Sequence, residues 1–335
     1  MNRIKYIDAL KFTAMFAIVL LHLSQIWLDI ELLNIKFKYL EEIFRFGVPV
    51  FLMVTGALAF KKEIEIKSFL EKKVTRILLP LLFYLTIAYL TSAYNGQYFD
   101  KFWYAWMALG VYFAIPIVNI FIRNASDREI EYFLVMFIFA SLLYPITYLF
   151  GIDIAFDINF FIGPISYVIL GYYLSRKEFN LSPNKIVLIS LIVFIIISSY
   201  KIFNFNAFWL DRNLMLVSYL NLSFSQIVQA ASMFLIIKYL YESSSGIFGA
   251  IRKFLEINTV NKFILSISRS TYGIYFVHII ILRLWLQPNL TPIHLTGTQT
   301  AISIFVISTC LFLASWVIVW ILGKIPYVKA VSGYY

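Results

Sequence analysis

Residues 12–28 read Phe-Thr-Ala-Met-Phe-Ala-Ile-Val-Leu-Leu-His-Leu-Ser-Gln-Ile-Trp-Leu, and this stretch decides the fold class. With the residues just before it, the run reaches the ~20 positions that a helix needs to cross the hydrocarbon core of a bilayer. Arg3, Lys5 and Lys11 precede it, as basic residues precede the core of a signal peptide, but no small-residue cleavage site follows and His22 sits inside. The run is therefore read as a retained first span. Working outward, similar runs recur near 8–28, 43–60, 77–94, 102–122, 132–150, 158–175, 186–204, 213–240, 264–287 and 300–323. The expected fold is all-α, a polytopic membrane helical bundle of about ten transmembrane helices. It is read as one integral-membrane domain over 1–335, without a recognisable repeat or a separate soluble domain.

Composition points the same way. Of the 335 residues, 61% are hydrophobic and 14% charged, against about 45–50% and 25% in soluble domains. A soluble core of this size cannot hide so many apolar runs. The net charge of +10 is spread over short connections between runs, a pattern that suits an anionic membrane surface and membrane lipids as partners rather than nucleic acid. Taking alternate connections from the N-terminus, nineteen Lys and Arg fall on one side and five, Lys36, Lys38, Lys101, Lys201 and Arg212, on the other. The richer side is assigned to the cytoplasm, which places both termini there. The single cysteine, Cys310, excludes an intrachain disulfide and a cysteine metal cluster, and is read as inert packing.

Ionisable groups at membrane depth need partners or a function. Asp8, Lys11, His22, Arg269, His278 and Arg283 are in that position, whereas the third histidine, His294, falls in an external loop. Lys11 and His22 are eleven residues apart, close to three helical turns, so they share a face with Asp8 and lie about 16 Å apart along the axis. One stripe thus carries an acid–base pair at the cytoplasmic rim and an imidazole well inside. His22 can serve as a general base toward a hydroxyl, or can simply bond a neighbouring helix. His278, starting from the same side, reaches nearly the depth of His22, and the two spans are expected to line one cavity with His278 as a supporting residue. The alternative for His278 is a structural hydrogen bond. Gly56 and Gly273 permit close helix approach.

Lys72, Lys73 and Arg76 cluster at the cytoplasmic start of the third span, where they can grip phosphates or merely set topology. The connection 61–76, KKEIEIKSFLEKKVTR, is amphipathic and can lie on the membrane surface or act as a solvated loop. The eighth span is unusually polar, with Asn221, Ser223, Ser225, Gln226, Gln229 and Ser232, and packing is the role read for most of them.

The segment Ile7-Asp8-Ala9-Leu10-Lys11 followed by His22 resembles the opening of the membrane acyltransferase-3 family, whose first span bears a basic residue, ten intervening residues and a histidine. The resemblance continues in Arg45–Gly56, in Lys73-Val74-Thr75-Arg76 with Pro80, in Phe102-Trp103-Tyr104-Ala105-Trp106 with Pro116, and in Ser268–His278. The chain departs from the family pattern in several places. Lys11 and Lys73 stand where Arg is usual, Thr55 where Ser is common, and Lys101 near a frequent histidine. A lysine keeps the charge but not a two-pronged guanidinium contact.

The resemblance implies a multi-pass protein of the bacterial inner, or cytoplasmic, membrane that moves an acyl group to a hydroxyl of a cell-surface or lipid-linked saccharide. Acetyl from acetyl-CoA is the usual donor, and succinyl is possible within the pattern. No metal is implied. Asp8, His22 and His278 are then the catalytic candidates, Lys11, Lys72, Lys73 and Arg76 the acyl-CoA contacts, and Arg45, Trp103 and Tyr275 the substrate contacts. The chain has no G-x-S-x-G elbow, so it either completes transfer itself or works with a glycan-synthesis partner protein. The different-class alternative is a polysaccharide or small-molecule exporter without acyl transfer. Against it stand the missing repeat and the missing pair of broken helices in matching halves.

Overall fold

The computed structural model describes residues 3–30, 38–60, 63–91, 102–149, 159–203, 223–289 and 297–335. Lys36, Lys101, Arg212, Asn221 and His294 lie outside these. Among the described residues there is helix and no strand, as expected for apolar runs whose backbone groups must be satisfied without water. Seven helical stretches are long and apolar enough to cross a membrane: Lys5–Gln25, Glu41–Ala59, Ile66–Leu90, Trp103–Asn124, Pro183–Ile202, Asn258–Asn289 and Gln299–Leu322. The remaining segments read from hydropathy contain α-helix over 132–149, 164–175 and 224–240.

In chain order the helices are α1 (Lys5–Ile30), α2 (Lys38–Phe44), α3 (Gly47–Ala59), α4 (Ile66–Leu90), α5 (Trp103–Asn124) and α6 (Asp127–Leu149). They continue as α7 (Pro164–Arg176), α8 (Pro183–Phe203), α9 (Phe224–Leu240), α10 (Gly246–Glu256), α11 (Asn258–Ile281) and α12 (Gly297–Leu322). The chain forms two compact units, one of Met1–Leu10, Arg45–Glu63 and Ile117–Val260, the other of Lys11–Phe44, Ile64–Pro116 and Asn261–Tyr335.

In the first unit, α3 and α7 pack backbone to backbone. A Cβ built on Gly56 would stand 1.7 Å from the carbonyl oxygen of Val168, and one on Gly171 2.0 Å from that of Met53. Pro49 is accommodated in the first turn of α3, where its missing N–H has no helical partner to lose. We expect Gly56→Ala to destabilise the protein by about 1–3 kcal/mol or more, because a backbone atom cannot move aside as a flexible side chain does. The control is Gly110→Ala, whose new Cβ meets nothing within 4 Å. A thermal melt in detergent should fall for the first variant and not for the second; equal melts would overturn the close-packing account.

The polar residues of α9 do bond within the unit. Ser223 caps the helix by accepting from the amide of Gln226. Buried Gln226 and Gln229 accept hydrogen bonds from Lys201 Nζ at 2.9 and 3.3 Å, and Gln229 donates to Ser198 at 3.0 Å. Lys201 therefore sits buried inside α8, not in an outer connection. Amide partners within reach let the helix continue past the charge. Cys310 also differs from the packing role read for it, since it lies on an exposed face of α12. Ile117, Ile120, Ile196 and Ile302 are each more than half exposed as well, which suits a surface that meets lipid.

The second unit is held by aromatic contacts. Phe12 and Phe16 of α1 meet Phe312 of α12 edge-on at 5.6 and 5.3 Å. Tyr84 of α4 stacks on Phe276 of α11 at 4.9 Å, and Phe102 closes on the same ring. The basic connection before the third span is not a separate surface segment, because α4 already begins at Ile66. Glu65 accepts from the amide of Ser68 there, and no breaker interrupts the helix before Pro80. Likewise α11 begins at Asn258, ahead of the start near 264 read from hydropathy. Its first turns carry Asn258, Asn261 and Lys262, polar residues that a hydropathy window discounts but that helix geometry tolerates.

Candidate functional site

The second unit brings together the first-span and ninth-span histidines. Nε2 of His278 lies 3.1 Å from Nδ1 of His22, and the two rings stack at 5.2 Å with 29° between planes. His278 is fully buried and its Nδ1 lies 2.8 Å from the carbonyl oxygen of Ile274, one turn earlier on α11. This contact settles the tautomers of the neutral pair. A carbonyl oxygen only accepts, so Nδ1 of His278 carries the hydrogen and its Nε2 holds a lone pair. His22 Nδ1 then donates across the gap, which leaves the lone pair of His22 on its Nε2. Such a ring is oriented, with its basic nitrogen at a defined atom.

Around the pair stand the aromatic residues of the ninth-span motif. The ring of Tyr275 is 6.2 Å from that of His278 and 5.3 Å from that of Tyr104. Its hydroxyl meets the amides of Tyr104 and Ala105 at the start of α5. Trp103, next in line, packs edge-on against Tyr104 at 6.4 Å and is 42% exposed, so it belongs to the rim.

Toward the N-terminal ends of α1 and α4 lies a set of cations. Arg76 and Lys11 are both near enough to influence the charge on Lys73. Lys73 Nζ lies over the rings of Tyr112 and Phe69 at 5.4 and 5.9 Å, and the Arg76 guanidinium over the ring of Tyr335 at 5.5 Å. Lys72 and Arg76 line an open groove of about 400 Å³ together with Glu71, Thr75, Leu79, Ala330 and Tyr335. The helical rise places Lys11 about 16 Å from His22 along α1.

A family model described as an acyltransferase domain matches residues 4–321. The chain belongs to the acyltransferase-3 family. No curated protein and no solved structure matches it. Membership implies acyltransferase activity in general, with an acyl donor, an acceptor and a lipid environment. Among the described residues, no group of three or more His, Cys, Asp or Glu could hold a metal ion.

Within this acyltransferase, eight of the ten residues singled out from sequence fall in the second unit: Lys11, His22, Lys72, Lys73, Arg76, Trp103, Tyr275 and His278. Asp8 and Arg45 belong to the first. Asp8 is buried and accepts from Arg3 Nε at 2.6 Å. Arg45 is buried in the bend between α2 and α3. Gly273 does serve close approach, but toward α12 and the segment after it. An added Cβ there would meet the carbonyl oxygen of Ser332 at 2.4 Å and Val319 at 2.5 Å. Sequence reasoning missed Tyr104 and Tyr335. The first stands inside a quoted motif, and the second follows the last apolar run, where a hydropathy scan stops.

Proposed function

We propose that the protein is a multi-pass O-acyltransferase of the bacterial cytoplasmic membrane, with about ten spans and both termini in the cytoplasm. It moves an acyl group, acetyl in the first instance, from cytoplasmic acetyl-CoA to a hydroxyl of a cell-surface or lipid-linked saccharide. The observation that carries this reading is the His22–His278 pair, with the lone pair held on His22 Nε2. His22 removes the proton of the acceptor hydroxyl as its oxygen bonds to the thioester carbonyl carbon. The carbon–sulfur bond then breaks, and the proton passes from His22 to the departing thiolate, giving ester and free thiol. The same atom suits the acyl-histidine route, in which Nε2 attacks first. A rapid acid quench that traps label on the protein distinguishes the two.

His278 acts as a positioning residue, accepting from His22 Nδ1–H and supporting the positive charge as it develops. Lys11, Lys72, Lys73 and Arg76 hold the phosphates of the donor. Asp8, bonded to Arg3, is kept as a supporting acid of the first helix. Trp103 and Tyr275 are assigned to the acceptor, which the chain acylates by itself or receives from a glycan-synthesis partner.

The reading is tested with purified protein, by release of CoA thiol and by mass spectrometry of surface glycans from a deletion strain. Acyl groups missing from one glycan, together with thiol release, support it. Glycan flux across the membrane without acylation would sink it in favour of export. Changing Lys72, Lys73 and Arg76 together to Ala should weaken acetyl-CoA binding roughly 10- to 100-fold, the value of one or two charge-assisted phosphate contacts. Binding to the unaltered protein should also weaken as salt rises. Unchanged donor affinity in the triple variant would reduce the cluster to a topology signal.

A further inference from the structure

Pro80 has no N–H, so the carbonyl of Arg76, one turn earlier on α4, lacks the helical donor it would otherwise receive. The hydroxyl of Tyr335 donates to that carbonyl oxygen. The same tyrosine lays its ring beneath the Arg76 guanidinium at 5.5 Å and donates its own amide to the carbonyl of Arg269 at 2.8 Å. Burial pushes the Tyr335 phenol up to about 12, against the opposing pull of Arg76, so it remains a donor at neutral pH.

The segment that delivers Tyr335 is fixed at several points. Ser332 is fully buried and its carbonyl accepts from the hydroxyl of Tyr84 at 2.9 Å. Gly333 adopts φ +74°, where its missing Cβ would stand 2.6 Å from the backbone nitrogen of Gly273. Only glycine combines that dihedral with that approach. The segment thus reaches α4 and α11 together, and Ala330 and Tyr335 form one wall of the groove whose other wall carries Glu71, Lys72, Thr75, Arg76 and Leu79.

We propose that Tyr335 is a positioning residue for the acyl donor, holding Arg76 over a groove that takes the phosphoadenosine end of coenzyme A. The proposal rests on the acyl-CoA reading above and adds to it a residue and a place. Cations on one wall match the phosphates, and a partly exposed tyrosine ring with the stem of Leu79 matches a flat base. A groove of about 400 Å³ lies in the range of small-molecule sites, about 300–1,000 Å³.

The test compares two thioesters that differ only in the nucleotide end, acetyl-CoA and acetyl-pantetheine. Tyr335→Ala should raise KM for acetyl-CoA about tenfold, the upper part of what a cation–π contact is worth. KM for acetyl-pantetheine and kcat should stay near their original values. Tyr335→Phe keeps the ring under Arg76 and loses only the bond to its carbonyl, so it should recover most of the loss. It also keeps the packing, and it carries the test if the alanine variant melts early. Binding of 3′,5′-adenosine diphosphate to the detergent-solubilised protein should weaken in the same order.

Equal KM changes for both thioesters, or no change for either, would overturn the role of Tyr335 while leaving the acyl-CoA reading in place. Failure of the unaltered protein to use either thioester would remove that reading and this proposal together.

Discussion

His22→Ala is expected to lower acyl transfer by about 10²- to 10⁴-fold, the usual contribution of a positioned general base, while the protein inserts and melts as before. The ring is half-buried, and its neighbours Leu20 and Leu23, which are buried, carry the local packing of α1. Losing it removes one hydrogen bond to His278, worth about 0.5–1.5 kcal/mol, too little to unfold a bundle of this size. The measurement is CoA-thiol release by the purified variant beside a thermal melt. His22→Gln sharpens it, because an amide can keep a hydrogen bond to His278 but cannot take a proton. Near-normal turnover in either well-folded variant would end the catalytic assignment and return His22 to the role of a helix-bonding residue.

The placement of His22 was legible because two regular quantities fix it. The helical period puts Lys11 and His22 on one face, and the rise per residue puts the imidazole well inside the apolar run. The same arithmetic set His278 at a matching depth, and the structure joins the two rings across 256 positions of sequence. Depth, however, is all that hydropathy supplies. It says nothing about rotation of one helix against another, so neither the hydrogen bond itself nor the tautomers that follow from the carbonyl of Ile274 are legible in the sequence.

Other features were hidden for related reasons. The start of α4 at Ile66 was masked by Lys67, Lys72 and Lys73, charges that a hydropathy window reads as a loop although a capped helix carries them at its rim. Lys201 reads as part of a connection because its charge ends an apolar run. Its amide partners lie on α9, and no local pattern announces them. Tyr335 belongs to a segment whose structure depends on Gly273 and Gly333 meeting at the backbone. A sequence shows two glycines sixty residues apart and gives no reason to pair them.

His278→Ala should separate a positioning residue from a structural one. The substitution takes away the acceptor of His22 Nδ1–H and frees the ring to turn or to exchange tautomers, which would carry the lone pair off Nε2. We expect kcat to fall by about 10²-fold, at the lower end of general-base effects, with KM for acetyl-CoA near its original value, since the donor's charged end is held by the cations near the ends of α1 and α4. His278→Gln restores an acceptor oxygen at roughly the reach of Nε2 and should recover part of the loss. A structural hydrogen bond behaves differently, because its removal lowers the melting temperature and leaves kcat in the folded fraction unchanged. That outcome would keep the α1–α11 contact as packing and leave His22 to act without an orienting partner. A fall in kcat with little change in melting, partly rescued by glutamine, is the pattern expected of an orienting partner, since the bond to Ile274 fixes the direction of the hydrogen bond and the 3.1 Å contact fixes which nitrogen of His22 carries its lone pair.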